Sequence, residues 1–199
     1  MENIELSNLT VGQYQLLAEI DPKLTAIEQN IYAVAAIKNI TYNEARDITM
    51  KEFNNIVTAI ERIDVKELEK GKINNRVNIG GKLYWIENDP SKLTSGQLLD
   101  IINIRANSHG EPLLVMDLII AALCKPLNGK YGDDDMTLNE RAALCRSVKV
   151  AEVWNLFIFF YQVWNNYLAH TEDSLTEWME EVPTKVRKIL DESGDSSPS

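Results

Sequence analysis

Two histidines and two cysteines in 199 residues leave little material for metal or thiol chemistry. Zinc and its neighbours want three or four nitrogen or sulfur ligands at recognisable spacing, whereas His109, His170, Cys124 and Cys145 stand singly. No metal site is expected, and two cysteines with nothing secretory beside them fit reduced thiols in a cytosol. The opening Met-Glu-Asn-Ile-Glu lacks the basic and apolar regions of a signal peptide, so the expectation is a soluble intracellular protein. Basic clusters are scarce too. Lysine and arginine number 20 against 30 acids, a net charge of −10, and the one short basic group, Lys185, Arg187 and Lys188, is flanked by acids. Such a surface repels phosphate, which argues against binding duplex DNA or an anionic membrane. No apolar run approaches the roughly 20 residues a membrane span needs. Glycine-rich phosphate loops are missing as well, since Gly80-Gly81 has neither the spacing nor the following helix.

What the chain does have is a repeated signal for starting helices. Leu9-Thr10-Val11-Gly12-Gln13 returns 84 positions later as Leu93-Thr94-Ser95-Gly96-Gln97. Threonine followed three residues on by glutamine or glutamate is a capping box, in which each side chain satisfies a backbone N–H that the first turn leaves unpaired. Thr10 with Gln13, Thr41 with Glu44, Thr49 with Glu52, Thr94 with Gln97 and Thr137 with Glu140 all fit. The spacing predicts helices from Tyr14 to Ile20, Leu24 to Ile37, Tyr42 to Asp47, Met50 to Ile63, Thr94 to about Ala106, Leu113 to Cys124, Leu138 to Val148 and Ala151 to Leu168. A last amphipathic stretch covers about 175–190, with a frayed tail at 192–199. Ile120-Ala121-Ala122-Leu123 echoes Val34-Ala35-Ala36-Ile37, so the helices fall into two pseudo-repeated halves, about 8–64 and 92–168. Between them, two β-branched and aromatic runs around Gly80-Gly81 predict a β-hairpin over about 76–87. The expected fold is mainly α, one compact multi-helix bundle over 1–199.

Three segments invite a chemical reading. Asp133-Asp134-Asp135 resembles the start of a calcium loop, but the sixth and twelfth places hold Leu138 and Leu144 where glycine and glutamate belong. An exposed acidic loop before a helix N-terminus is the expectation. Asn107 to Pro112 gathers Ser108, His109 and Glu111, yet near neighbours in sequence seldom face one another as a catalytic triad requires, and loop-forming residues dominate. No catalytic residues and no cofactor are expected. The third segment, Ala151 to Leu168, carries Trp154, Phe157, Phe160, Tyr161 and Trp164 on about three turns. It reads either as a central core helix or as a surface that meets another chain, and these five rings are the candidate interface.

The Leu-Thr-x-Gly-Gln helix start, the glycine hairpin Ile79-Gly80-Gly81-Lys82-Leu83-Tyr84 just before its second copy, and the small acidic helices together resemble small virion-assembly proteins of tailed bacteriophages. The likeness is greatest to those of phages of Bacteroidetes hosts such as the crAss-like group. It extends over about 93–160, and more loosely over the first half. It implies a non-enzymatic structural or assembly protein, of the tail assembly chaperone or minor virion cargo kind. Its partners would be phage structural or assembly proteins, or further copies of itself, in the host cytoplasm during assembly or retained in the virion. A second expectation, from the acidic charge, is a host-takeover inhibitor whose carboxylates imitate DNA phosphates and bind a host protein.

Overall fold

The computed structural model describes residues 8–62, 68, 75–87, 89–108 and 111–158. All lie within 1–160, one of two compact units into which the chain divides, the other being 161–199. The stretches expected at 175–190 and 192–199 lie outside the described residues.

The described residues are mainly helical, with a small antiparallel sheet. Helix α1 (Val11–Ala18) opens on the Thr10–Gln13 capping box. Its remaining first-turn donors are met from far along the chain: Val11 N–H donates to the Val148 carbonyl at 2.8 Å and Gly12 N–H to that of Arg146 at 2.9 Å. Gly12 suits that approach, because a Cβ there would sit 3.2 Å from both the Arg146 Cβ and its carbonyl oxygen, tighter than ordinary van der Waals contact.

Helix α2 (Ala26–Lys38) begins two residues later than expected, on a further box formed by Thr25 and Glu28, and ends at Asn39 in the left-handed conformation. Helix α3 (Tyr42–Arg46) has its Thr41–Glu44 box. At α4 (Met50–Glu61) the expected box is half made: Thr49 accepts from the Glu52 N–H, but the Glu52 carboxylate pairs with Lys38 Nζ at 2.5 Å. A lysine ammonium close by outcompetes a backbone N–H for a charged acceptor. Val34, Ala35, Ala45, Phe53 and Ile56 form the buried core of α2, α3 and α4.

Strands β1 (Arg76–Ile79) and β2 (Lys82–Ile86) pair antiparallel, and Gly80 and Gly81 supply the positive φ values, 58° and 82°, that a tight hairpin demands. The hairpin is not the whole sheet. Strand β3 (Cys124–Pro126) adds to the free edge of β2, with Ile86 opposite Cys124 and Tyr84 opposite Pro126.

Helix α5 (Ser95–Asn107) follows the Thr94–Gln97 box. The helix expected over Leu113 to Cys124 is instead a 3-10 turn, Pro112–Val115, then α6 (Met116–Leu123) running straight into β3. Pro126 explains the change, since the residue before a proline is driven to extended backbone and β2 offers an unpaired edge there. Helix α7 (Leu138–Cys145), with its Thr137–Glu140 box, stops short of Val148. The residues after it supply carbonyls to α1 and make an isolated bridge between Thr10 and Lys149. Residues 150–158, here α8, are helical, with Val150, Val153, Trp154, Leu156 and Phe157 buried.

Candidate functional site

The densest polar constellation surrounds the C-terminus of α6. A helix ends with carbonyls that have no partner within it, and here Ala121, Ala122, Leu123 and Cys124 are all fully buried, so water cannot serve them. Other elements do. Cys124 N–H donates to the Ile120 carbonyl, Arg141 Nη1 to that of Ala121 at 3.1 Å, and Gln97 Nε2 to those of Ala122 and Leu123 at 3.1 and 3.2 Å. Glu87 N–H also reaches the Leu123 carbonyl. Every carbonyl of the last turn is met.

Arg141 extends the network. Its side chain is 2% exposed and forks onto Asp134, itself 3% exposed, through Nε to Oδ2 at 3.0 Å and Nη2 to Oδ1 at 2.7 Å. Tyr84 OH donates to Asp134 Oδ2 at 2.9 Å. The guanidinium lies over the Tyr131 ring, 5.0 Å from its centre, and Tyr131 OH donates to Asp100. Burial and the hydrogen bond to Asp134 push the Tyr84 hydroxyl up to about 12, and burial with the bond to Asp100 does the same for Tyr131. Burial alone would raise Asp134, but the bonds from Arg141 and Tyr84 outweigh it and hold the carboxyl below the usual range. Beside them the buried thiol of Cys124 is pushed well up, by burial and then by its neighbour Cys145, as in an inert structural cysteine.

A general base needs a free lone pair within reach of a substrate. Asp134 accepts three hydrogen bonds and is sealed from solvent, and Arg141 spends its donors on the carboxylate and on a carbonyl. The constellation therefore pins α5, β2, α7 and the 131–135 turns onto the end of α6. The acidic run is accordingly not the uniformly exposed loop expected from the sequence: the Asp134 carboxylate is buried, while Asp133 Oδ2 accepts the Lys130 N–H at 2.6 Å. Arg141, Tyr84 and Tyr131 did not stand out in the sequence either. The available signal was Arg141 itself, on the same helix face as Ala142 and Cys145, where a charge must have a partner.

A second buried knot joins α1 to the start of α6, with Gln15 Nε2 donating to Asp117 Oδ1 at 2.8 Å and to the Leu114 carbonyl at 2.9 Å. Among the described residues, no group of three or more His, Cys, Asp or Glu converges as metal ligands would. Ser108 Oγ donates to the Arg105 carbonyl, and His109 lies outside the described residues.

Of the five candidate interface rings, Trp154 and Phe157 are 5% and 1% exposed, so neither offers a face to another chain. The rings of Trp154 and Tyr14 meet in a T-shape, their centres 5.4 Å apart. The periodicity could not separate core from interface, because α8 is apolar on nearly every side and the core of this small unit absorbs both rings. Phe160, Tyr161 and Trp164 lie outside the described residues. Exposed apolar side chains sit elsewhere, notably Leu99 at 58% and Ile102 at 40% on α5.

Where α1, the end of α2 and the end of α7 meet, an open groove of about 430 Å³ is lined by Gly12, Gln13, Leu16, Asn39, Ala143 and Arg146 among others. No helix among the described residues is long and apolar enough to cross a membrane. No family model, curated protein or solved structure matches this chain.

Proposed function

We propose that the protein is non-enzymatic and acts through contacts with other proteins, in the setting that the phage resemblance implies: virion or tail assembly. The observation that carries the contact reading is α5. Its inner face buries Gln97, Ile101 and Ile104, and on the opposite side Ser95, Leu99, Ile102 and Ala106 form an uncharged stripe with Leu99 and Ile102 exposed. In a chain of net charge −10, an uncharged apolar stripe is where a neighbour can approach without like-charge repulsion. The partner is a phage structural or assembly protein, or a second copy. The polar groups that might have suggested catalysis are spent on holding α6, which favours this reading over an enzyme.

The two-halved, pseudo-repeated plan belongs to the same proposal, and one correspondence supports it. Gln13 Nε2 donates to the Ile37 carbonyl, 24 residues on, and Gln97 Nε2 to that of Leu123, 26 residues on. In each half a capping-box glutamine closes the start of one helix and reaches the end of the next Ala-rich one.

Light scattering and cross-linking of the purified protein, alone and with the products of neighbouring genes, test the reading. A complex that disappears with Leu99→Asp plus Ile102→Asp, at unchanged helicity, is the expected result. A strict monomer that binds none of those proteins would overturn it.

A further inference from the structure

Beyond the apolar stripe, we infer that the groove between α1, α2 and α7 is a second contact site, one that takes a short acidic peptide segment of a partner. The argument rests on its charge. Leu16, 37% exposed, puts an aliphatic side chain on its wall. Among the described residues that line it, Arg146 is the one that carries a charge, and that charge is positive. In a chain with 30 acids and 20 bases this is an inversion of the prevailing sign.

Arg146 is also available. It is exposed, and unlike Arg141 it makes no ion pair or side-chain hydrogen bond among the described residues. The absence of a side chain at Gly12 lets the arginine lie close against α1, where a Cβ would come within 3.4 Å of its Nε. Asn39, exposed where α2 ends, adds a second polar residue. The α1 N-terminus contributes nothing to the attraction, because Val11, Gly12 and Gln13 have already spent their N–H groups on Val148, Arg146 and Thr10. What the groove can recognise is a carboxylate gripped by a planar fork, next to an aliphatic side chain laid against Leu16.

This inference rests on the contact reading but fails separately from it. A fluorescein-labelled peptide Gly-Leu-Asp-Leu-Leu-Glu, compared with its Asn and Gln counterpart, is titrated against the full chain and followed by anisotropy, with amide chemical shifts recorded in parallel. Expected are saturable binding of the acidic peptide only, shifts centred on Gly12, Asn39 and Ser147, and affinity lower by about tenfold or more in Arg146→Ala. Arg146→Lys should restore part of the binding, because it keeps the charge and loses the fork. Arg146 is exposed, so both variants should melt with the wild type. Binding of both peptides alike, no binding at millimolar concentration, or an acidic peptide that ignores Arg146→Ala would each overturn the groove. In any of those cases a complex still sensitive to the α5 substitutions would leave the contact reading standing.

Discussion

Helices α2 and α6 end in opposite ways, although both are Ala-rich and both receive a capping-box glutamine. The last turn of α2 comes out at the surface, with Lys38 and Asn39 exposed, and it closes largely with its own backbone. Asn39 swings into the left-handed region, and N–H groups of Asn39 and Ile40 fold back onto the carbonyls of Ala35 and Ala36. Outside help comes to the Ile37 carbonyl, from Gln13. The last turn of α6 has no water to fall back on. It enters β3 without a reversal, Cys124 standing at φ −77° and ψ 138°, and its carbonyls are met by Arg141, Gln97 and the Glu87 N–H. Where a helix ends decides how it ends: a surface terminus can use a local turn, and a buried one must recruit long-range partners.

The largest test of this contrast is Arg141→Met. The substitution leaves the Asp134 carboxylate buried without its cation and the Ala121 carbonyl without a donor, and should cost about 3–5 kcal/mol in urea unfolding. Adding Asp134→Asn should recover part of that by removing the stranded charge. The acid limb gives an independent readout. Because the fold holds the Asp134 carboxyl below its ordinary value near 3.9, the pair stabilises above that pH and loses its contribution as pH falls through the lower folded value. That limb should shrink in Asp134→Asn. An Arg141→Met protein as stable as wild type would break the comparison outright.

What is legible in the sequence, in both regions, are the devices that are local. The capping boxes at Thr10, Thr41, Thr94 and Thr137 rest on a four-residue spacing, and the hairpin turn rests on two adjacent glycines. Thr25–Glu28 is equally local, but an apolar pattern that starts at Leu24 hides it. What could not be read is long-range. Nothing near Cys124 says that its segment pairs with β2, 38 positions back at Ile86, and nothing near Arg141 says that it reaches Ala121 on α6 as well as the 131–134 turn that carries Tyr131 and Asp134. The exposed face of α5 is hidden for a different reason: a helix apolar on both sides shows no amphipathic period to reveal which side is free.

Gln97→Ala and Gln13→Ala sharpen the comparison at intermediate size. Both remove the acceptor for a threonine N–H at a helix start. Gln97 is 1% exposed and also serves two buried carbonyls, whereas Gln13 serves one that is partly buried. A buried group left without a partner costs about 1–3 kcal/mol, and water offsets the loss where it can enter. Gln97→Ala should therefore destabilise by about 2 kcal/mol and Gln13→Ala by about 1. Equal losses would show that the two helix ends are not differently solvated.

The smallest expected effect lies at Asn39, and it bears on the surface terminus alone. At φ 53° and ψ 47° the backbone is in a region where a Cβ crowds the following carbonyl. Asparagine tolerates it better than other residues with side chains, and glycine better still. Asn39→Ala should cost about 1 kcal/mol, read as a fall in melting temperature, while Asn39→Gly should stay within a few tenths of wild type, its steric relief offset by a more flexible unfolded chain. The end of α6 offers no such position, since Cys124 is already extended. If alanine at 39 proves harmless, α2 does not depend on a left-handed cap, and Gln13 would have to be carrying more of that terminus than its single hydrogen bond suggests.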